Sequence, residues 1–320
     1  MSTADRMHEL LLHVAGRVPD DFLASAREKL ANGAVGEVAG SICERLAQDK
    51  VSVTIAQAGL LSELVDDGAS AVFTGIPIAD EAPPSVWLFD GDDMPERTAE
   101  TTAALIAVLS RNPAALGLWI AWRKPFRGEG QRLPVHVVTV DDSGDQPRLS
   151  GELHRALAGH PDVPRIEVVG PEDVPAYQRA ARGRGTLAWA ATEPGELQVA
   201  RVFDRVDPER GPEFDRNHPI LEQAELNHVL EYLRSGEVLL STGAVLDDVV
   251  EPERGGVVPT SYRGDGTWLW PDAIAYYLEQ HGLAPDERLL EHIRDVGNPP
   301  ARMDAVSTHR ALRHLLEPPN

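Results

Sequence analysis

Apolar residues recur at helical spacing through the first 66 residues of the chain. The stripe that contains Leu10 and Val14 predicts one amphipathic helix, and the run that opens at Pro19 predicts the next. Two further helices complete a small bundle, which we expect to form an accessory helical module over residues 1–75. The segment 75–84, which is rich in proline and acidic residues, predicts a linker.

Beyond this linker, strand-like apolar runs alternate with helical patterns. Leu116–Trp122 is typical of a buried strand. The runs Thr186–Ala191 and Leu197–Phe203 predict a hairpin across Glu193-Pro194-Gly195. Crossover helices combined with a hairpin favour a mixed sheet over a purely parallel one. We therefore expect a mixed α/β domain over residues 85–215.

The last third of the chain combines short strands with helices. Val257–Ser261 and Thr267–Trp270 predict strands on either side of the turn Arg263-Gly264-Asp265-Gly266. Two helices follow, the first at Pro271–His281. Residues 216–320 should form a C-terminal α+β module with an aromatic hairpin. The chain as a whole is predicted to be α+β, with an N-terminal helical bundle and a mixed α/β body that ends in a hairpin and helices.

Charge narrows the range of partners. The chain has 30 basic and 51 acidic residues, which gives a formal net charge of -21. A surface this negative repels phosphate backbones and anionic lipids. We therefore expect no nucleic-acid partner and no membrane partner, and we expect a protein partner with a basic surface. The pattern leaves the oligomeric state open.

Cysteine content and the N-terminal segment bear on the compartment. Cys43 is the only cysteine, which excludes an internal disulfide and a multi-cysteine metal site. A single buried thiol fits a reducing cytoplasm. The first residues, Met1 to Asp5, lack the basic start and the apolar core of an export signal. These features predict a cytoplasmic protein.

Aromatic residues concentrate near the predicted C-terminal hairpin. Strand alternation places Trp268 and Trp270 on one side of their strand. Tyr262 precedes them and Tyr277 lies on the next helix. Up to four aromatic side chains, those of Trp268, Trp270, Tyr276 and Tyr277, could therefore gather around a planar ligand or a side chain of a partner. The candidate binding residues are Trp268, Trp270, Tyr277 and Tyr262.

Asp265 and Arg263 accompany these aromatic residues and allow two interpretations. Asp265 followed by Gly266 is a sequence typical of hairpin turns. In that interpretation the tryptophans are core residues packed between the hairpin and the helix. This structural interpretation is the favoured one. The alternative makes Asp265 and Arg263 weak catalytic candidates in an aromatic-lined cleft.

Other motifs for catalysis or cofactor binding are missing from the sequence. The histidines do not follow metalloprotease spacing, and no Gly-x-Ser-x-Gly nucleophile elbow occurs. Gly33, Gly36 and Gly40 do not match the dinucleotide-binding pattern. We expect no metal and no cofactor, and the balance favours a protein that is not an enzyme.

One stretch of the C-terminal third resembles a known pattern. The segment from Ser261 to Trp270, read on through Ala275–Leu278 and His281–Asp286 to Leu289–Ile293, is similar to the C-terminus of a family of uncharacterised actinobacterial proteins. Some members of that family look like neighbours of secreted-toxin and immunity systems. The resemblance implies a context and no catalytic residues.

Three functional hypotheses follow from these features. The leading one is a non-enzymatic cytoplasmic partner-binding protein, of the immunity or neutralising type, because acidity, aromatic clustering and missing catalytic motifs agree. A second is a hydrolase that uses Asp265 and Arg263. A third is a regulatory scaffold that docks another protein through its N-terminal helices.

Overall fold

The computed structural model describes residues 1–65, 75–81, 86–127 and 130–316. The chain divides into two compact units, Met1–Thr192 and Glu193–Asn320. The predicted α+β class is confirmed, and the N-terminal part is helical as expected. The end of the predicted linker, residues 82–84, lies outside the described residues.

Four helices open the first unit. Capping boxes start two of them, because Ser2 and Thr54 each accept a backbone N–H three residues on and receive a reciprocal bond. The apolar stripe predicted around Leu10 is buried. The helices are α1 (Thr3–His13), α2 (Asp20–Ala31), α3 (Val35–Asp49) and α4 (Ile55–Leu64).

A mixed five-stranded sheet forms the body of the first unit. Its strands are β1 (Trp87–Asp90), β2 (Ala115–Pro125), β3 (Leu133–Val140), β4 (Ile166–Val169) and β5 (Thr186–Ala190), with helices α5 (Pro95–Leu109), α6 (Gln146–Ala156) and α7 (Ala176–Arg184) between them. The order is β1-β2-β3-β4, and β5 also pairs with β2. Only the β3–β4 pair is parallel, so the predicted mixed sheet is confirmed.

One face of this sheet packs against α5 and α6. Leu118 and Val138, which are direct cross-strand neighbours, are fully buried there beneath Leu105 and Leu153. Alternation along each strand directs every second side chain to this core.

Side chains from the N-terminal helices close the free edge of β4. The backbone oxygens of Ile166 and Val168 accept hydrogen bonds at 2.8 Å from Arg27 Nη1 and His8 Nε2. Arg27 also forms a buried ion pair of 2.7 Å with Glu167. Bonds of this kind satisfy edge carbonyls that would otherwise attract another strand. A separate module over residues 1–75, and docking through it, stay predictions.

The second unit is built from short strands and four helices. Its strands are β6 (Gln198–Val199), β7 (Arg205–Asp207), β8 (Gly211–Glu213), β9 (Glu237–Leu240), β10 (Val245–Asp247), β11 (Gly256–Pro259), β12 (Tyr262–Gly264) and β13 (Trp268–Pro271). Its helices are α8 (Gln223–Ser235), α9 (Asp272–His281), α10 (Glu287–Val296) and α11 (Ala305–Leu316). One sheet has the order β6-β13-β12-β9, and β7–β8 and β10–β11 form separate ribbons. The C-terminal hairpin is formed by β12 and β13. The predicted strand Val257–Ser261 corresponds to β11, which pairs with β10 and is not part of this hairpin, and Arg263 and Gly264, predicted to lie in the turn, belong to β12.

The hairpin predicted across Glu193-Pro194-Gly195 is wrong. Thr186–Ala190 pairs antiparallel with β2, whereas Gln198–Val199 pairs parallel with β13 in the other unit. Apolar alternation identifies a strand but does not select its partner. Both runs therefore pair with strands that are distant in sequence.

None of the helices in the described part of the chain is long and apolar enough to cross a membrane.

Three buried histidines make the first unit sensitive to acid. Burial lowers the pKa of His8, His136 and His154 from 6.5 to about 4. Among the described residues, neither ring nitrogen of His136 has a hydrogen-bond partner. All three rings are therefore held in the neutral form at neutral pH.

We predict that the first unit loses stability as the pH falls from 6.5 toward 4. In that range the unfolded chain binds protons that the folded unit excludes, so each histidine contributes a slope of up to about 1.4 kcal/mol per pH unit. Hydrogen exchange of peptides from β2 to β4, followed by mass spectrometry across this pH range, measures the loss. His136→Leu should reduce the slope, and the partly exposed His160→Gln serves as the control. An unchanged slope in His136→Leu would contradict the prediction.

Candidate functional site

Three of the four predicted binding residues lie in the core of the second unit. Trp268, Trp270 and Tyr277 are 5%, 0% and 2% exposed. Trp270 Nε1 donates to the Leu233 backbone oxygen at 3.1 Å. Both tryptophans pack against α8, α9 and α10, on the same side of β13 as the alternation predicts. Their role as binding residues stays a prediction, and in the folded unit they offer little surface to a partner.

Tyr262 and Arg263 lie on β12. Tyr262 is partly buried and pairs with Leu240 and Pro271. The Arg263 guanidinium donates to Asp272 at 2.7 Å and to the backbone oxygens of Arg234 and Gly236. It therefore satisfies carbonyls at the C-terminal end of α8.

The Asp265 carboxylate links the hairpin turn to two helices through hydrogen bonds. Its Oδ1 accepts the backbone N–H groups of Thr267 and Trp268 at 2.8 and 2.7 Å. Its Oδ2 accepts Tyr232 Oη on α8 and His292 Nε2 on α10, both at 2.8 Å. Burial, and then this carboxylate, raise the pKa of Tyr232. Four hydrogen bonds thus converge on one buried carboxylate.

Asp248 repeats this arrangement after β10. Its Oδ1 accepts the backbone N–H groups of Val250 and Glu251, and its Oδ2 accepts Tyr276 Oη and His281 Nε2. Burial acts to raise the pKa of Asp248, but the bonds from His281, the two N–H groups and Tyr276 lower it to about 2. The carboxylate therefore remains ionised throughout the neutral range.

A third Asp–His contact lies near the start of the unit. His218 Nδ1 lies 2.9 Å from Asp204 Oδ2, and its Nε2 lies 2.9 Å from the Ala284 backbone oxygen. Burial acts to raise the pKa of Asp204, but the Asp215 backbone N–H and His218 lower it. Both ring nitrogens of His218 therefore lie within hydrogen-bonding distance of an oxygen atom.

Sequence reasoning identified Asp265 but missed the role of Asp248 and the histidine partners. The detectable signal was local, because each aspartate accepts the N–H groups two and three residues ahead, as in an Asx turn. His281 and His292 lie 33 and 27 residues away from their carboxylates. No spacing rule links residues so far apart.

An exposed surface on β9, β10 and β11, here called the ribbon surface (residues 237–257), carries both apolar and acidic groups. Six of its large apolar side chains are at least 37% exposed. Residues 240–247 are exposed without interruption. The apolar side chains are Val238, Leu240, Val245, Leu246, Val250 and Val257. These six exposed side chains therefore lie close together along the chain, five of them on strands of two different sheets.

Carboxylates surround these apolar side chains. Residues 237–257 contain five acidic residues and one basic residue, which gives a net charge of −4. The single arginine, Arg254, is paired with Glu251. Asp247 and Glu253 are exposed, so their charges face solvent. The ribbon surface is therefore negatively charged as well as apolar.

Two kinds of site were considered among the described residues, a metal site and a reactive thiol. No group of three or more His, Cys, Asp or Glu residues among them could hold a metal ion. Burial, together with Glu44, raises the pKa of Cys43 to about 11, so this thiol stays protonated at neutral pH.

Comparisons of the chain with protein-family models, with curated proteins and with solved structures found no match.

We predict that Asp248→Asn and Asp265→Asn each destabilise the second unit by about 2 kcal/mol, because asparagine places an NH₂ group against hydrogen-bond donors. Urea unfolding at neutral pH measures the change. Asp247→Asn, at the exposed neighbour of Asp248, is the matched control and should change stability by less than about 0.5 kcal/mol. Losses no larger than that of the control would contradict the structural role of the two carboxylates.

Proposed function

We propose that this protein is a non-enzymatic, cytoplasmic partner-binding protein of the neutralising type, and that it holds a basic protein through the ribbon surface. The observation that carries the proposal is the concentration of exposed apolar side chains at residues 237–257, within a segment of net charge −4. No other stretch of comparable length in the described residues exposes as many large apolar side chains.

The two properties of the ribbon surface contribute differently to binding. Apolar side chains such as Leu246 and Val245 supply free energy when a partner covers them, at roughly 25 cal/mol per Å². The surrounding carboxylates, and the net charge of -21 on the whole chain, accelerate encounter with a basic partner and disfavour acidic ones. Affinity should therefore fall with added salt.

The environment of the predicted catalytic residues is consistent with this proposal. Asp265 accepts four hydrogen bonds, and the Arg263 guanidinium donates three. Both side chains thereby hold secondary structure together. The buried tryptophans support the same unit from its core, so we expect their replacement to affect binding through stability.

The proposal predicts that a lysine on the ribbon surface weakens partner binding. Tagged protein, crosslinked in a lysate of its source cells, should retain a basic protein in a one-to-one ratio. Leu246→Lys should reduce its recovery about tenfold. Val206→Lys, at an exposed position of β7 (70% exposed, against 56% for Leu246), makes the same charge change elsewhere in the unit and should have no effect.

Salt dependence supplies a second readout of the same experiment. Recovery by the unaltered protein should fall between ~50 mM and ~300 mM salt, because screening weakens the attraction to the carboxylates. Equal recovery of one basic protein by the unaltered chain and by Leu246→Lys would overturn the assignment of the surface.

A second candidate function is hydrolysis, because one Asp–His contact has the geometry of an acid–base pair. His292 Nε2 lies 2.8 Å from Asp265 Oδ2, and the histidine side chain is 22% exposed. Arg288 lies beside it, with its guanidinium carbon 5.8 Å from the Trp268 ring centre. An imidazole backed by a buried carboxylate can act as a general base.

The hydrolase candidate predicts turnover that depends on the imidazole. Chromogenic ester and phosphate-ester substrates provide the assay. His292→Gln should abolish turnover while Tyr232→Phe, which keeps the Asp265–His292 contact, should retain most of it. Turnover that survives His292→Gln, or no turnover by the unaltered protein, would count against this function.

A further inference from the structure

We infer that the partner is bound by strand addition, in which an extended basic segment of another protein pairs with the open edge of β10. The inference rests on the proposed function and adds the mode of binding. It is argued from the hydrogen bonding of the edge strands in the two units, from the geometry of the β9–β11 region, and from the charge of that region.

The edge of β10 is open, whereas a comparable edge in the first unit is closed. Carbonyls on the free edge of β4 are satisfied by Arg27 and His8. By contrast, Val245, Leu246 and Asp247 of β10 are all exposed, and β10 pairs only with β11 within the described residues. Unpaired N–H and C=O groups on such an edge bind an added strand.

β10 is held in an extended conformation before any partner arrives. Its pairing strand β11 is anchored to α9, because Val258 is buried against Ala273 and Tyr277. Between β9 and β10 the chain is attached to the two residues that join β11 to β12. Ser261 Oγ accepts the Thr242 N–H and donates to the Thr242 carbonyl, and Thr260 Oγ1 donates to the Ala244 carbonyl. Preorganisation of this kind reduces the entropy lost on binding.

The feature of this edge that hinders pairing with another strand is a register shift at its C-terminal end. Natural edges are blocked by lysine, proline or bulges. Residues 237–247 contain no lysine and no proline, and the register shift in the β10–β11 pair lies between Leu246 and Asp247. An added strand can therefore pair along β10 up to this irregularity, which allows about one or two residue pairs.

Charge selects a basic segment over a second copy of this chain. Two copies paired along β10 would bring together two segments that each carry a net charge of −4, and like charges on paired strands destabilise them. A segment that alternates apolar and basic residues would place its apolar side chains on Val245 or Leu246. Its basic side chains would then lie near Glu237, Asp247 or Glu253.

The test uses two labelled peptides with identical side chains. One is an acetylated and amidated repeat of Lys-Val, about eight residues long, which is enough to span the edge. The other carries N-methyl groups on its valines, so that one of its edges cannot donate hydrogen bonds and clashes with a neighbouring strand. Fluorescence anisotropy measures the binding of each peptide to the full-length protein. Hydrogen exchange of residues 244–247 reports where the peptide lies.

Strand addition predicts that the unmodified peptide binds about tenfold more tightly than the N-methylated one. Leu246→Lys should remove this preference, and Val206→Lys should keep it. The amides of β10 should be protected from exchange in the complex.

Equal binding of the two peptides, or no binding of either, overturns strand addition. A concentration-dependent dimer that Leu246→Lys abolishes would assign the edge to a second copy and would also overturn it. If capture of a cellular partner still depends on Leu246, the proposed function stands with another mode of binding. Peptide binding without such capture would instead remove the proposed function.

Discussion

The hydrogen-bonding demand of exposed strand edges is the constraint on which much of this structure depends. Every edge strand carries backbone groups that must be paired, covered or left to solvent. In the first unit, buried side chains from two helices meet this demand on β4, and the Arg27–Glu167 ion pair is desolvated as a result. In the second unit, the edge of β10 faces solvent with apolar side chains beside it. The same physical problem therefore has two outcomes, a closed edge in one unit and a solvent-exposed edge in the other.

Buried carboxylates organise the second unit in a way that resembles catalytic machinery. Asp248 and Asp265 each collect two backbone N–H groups, a tyrosine hydroxyl and a histidine ring. A unit with short strands has few ladder hydrogen bonds, and such charge-assisted bonds can fasten its turns to its helices. Side chains of types that are common in active sites therefore connect turns to helices by hydrogen bonds in this unit. Of the two histidines that contact these carboxylates, His292 has a partly exposed ring.

Acidic charge and apolar exposure combine on the ribbon surface to favour one class of partner. Charge alone would give fast but weak association, and exposed apolar residues alone would promote indiscriminate aggregation. Together with the exposed edge of β10, they are the basis for proposing a basic, extended segment as the partner. The net charge of −4 on residues 237–257 also disfavours pairing between copies of this chain, because like charges repel.

Local features of this protein could be predicted from its sequence, and long-range ones could not. The helical stripe around Leu10, the turn at Asp265, and the shared side of Trp268 and Trp270 depend on neighbours a few residues away, so the sequence alone determined them. The partners of β5 and β6, the histidines that meet each aspartate, and the exposure of β10 depend on residues distant in the chain. Only the tertiary structure decided these, because pairing and burial are set by which surfaces meet when the whole unit packs, and periodicity carries no information about that choice.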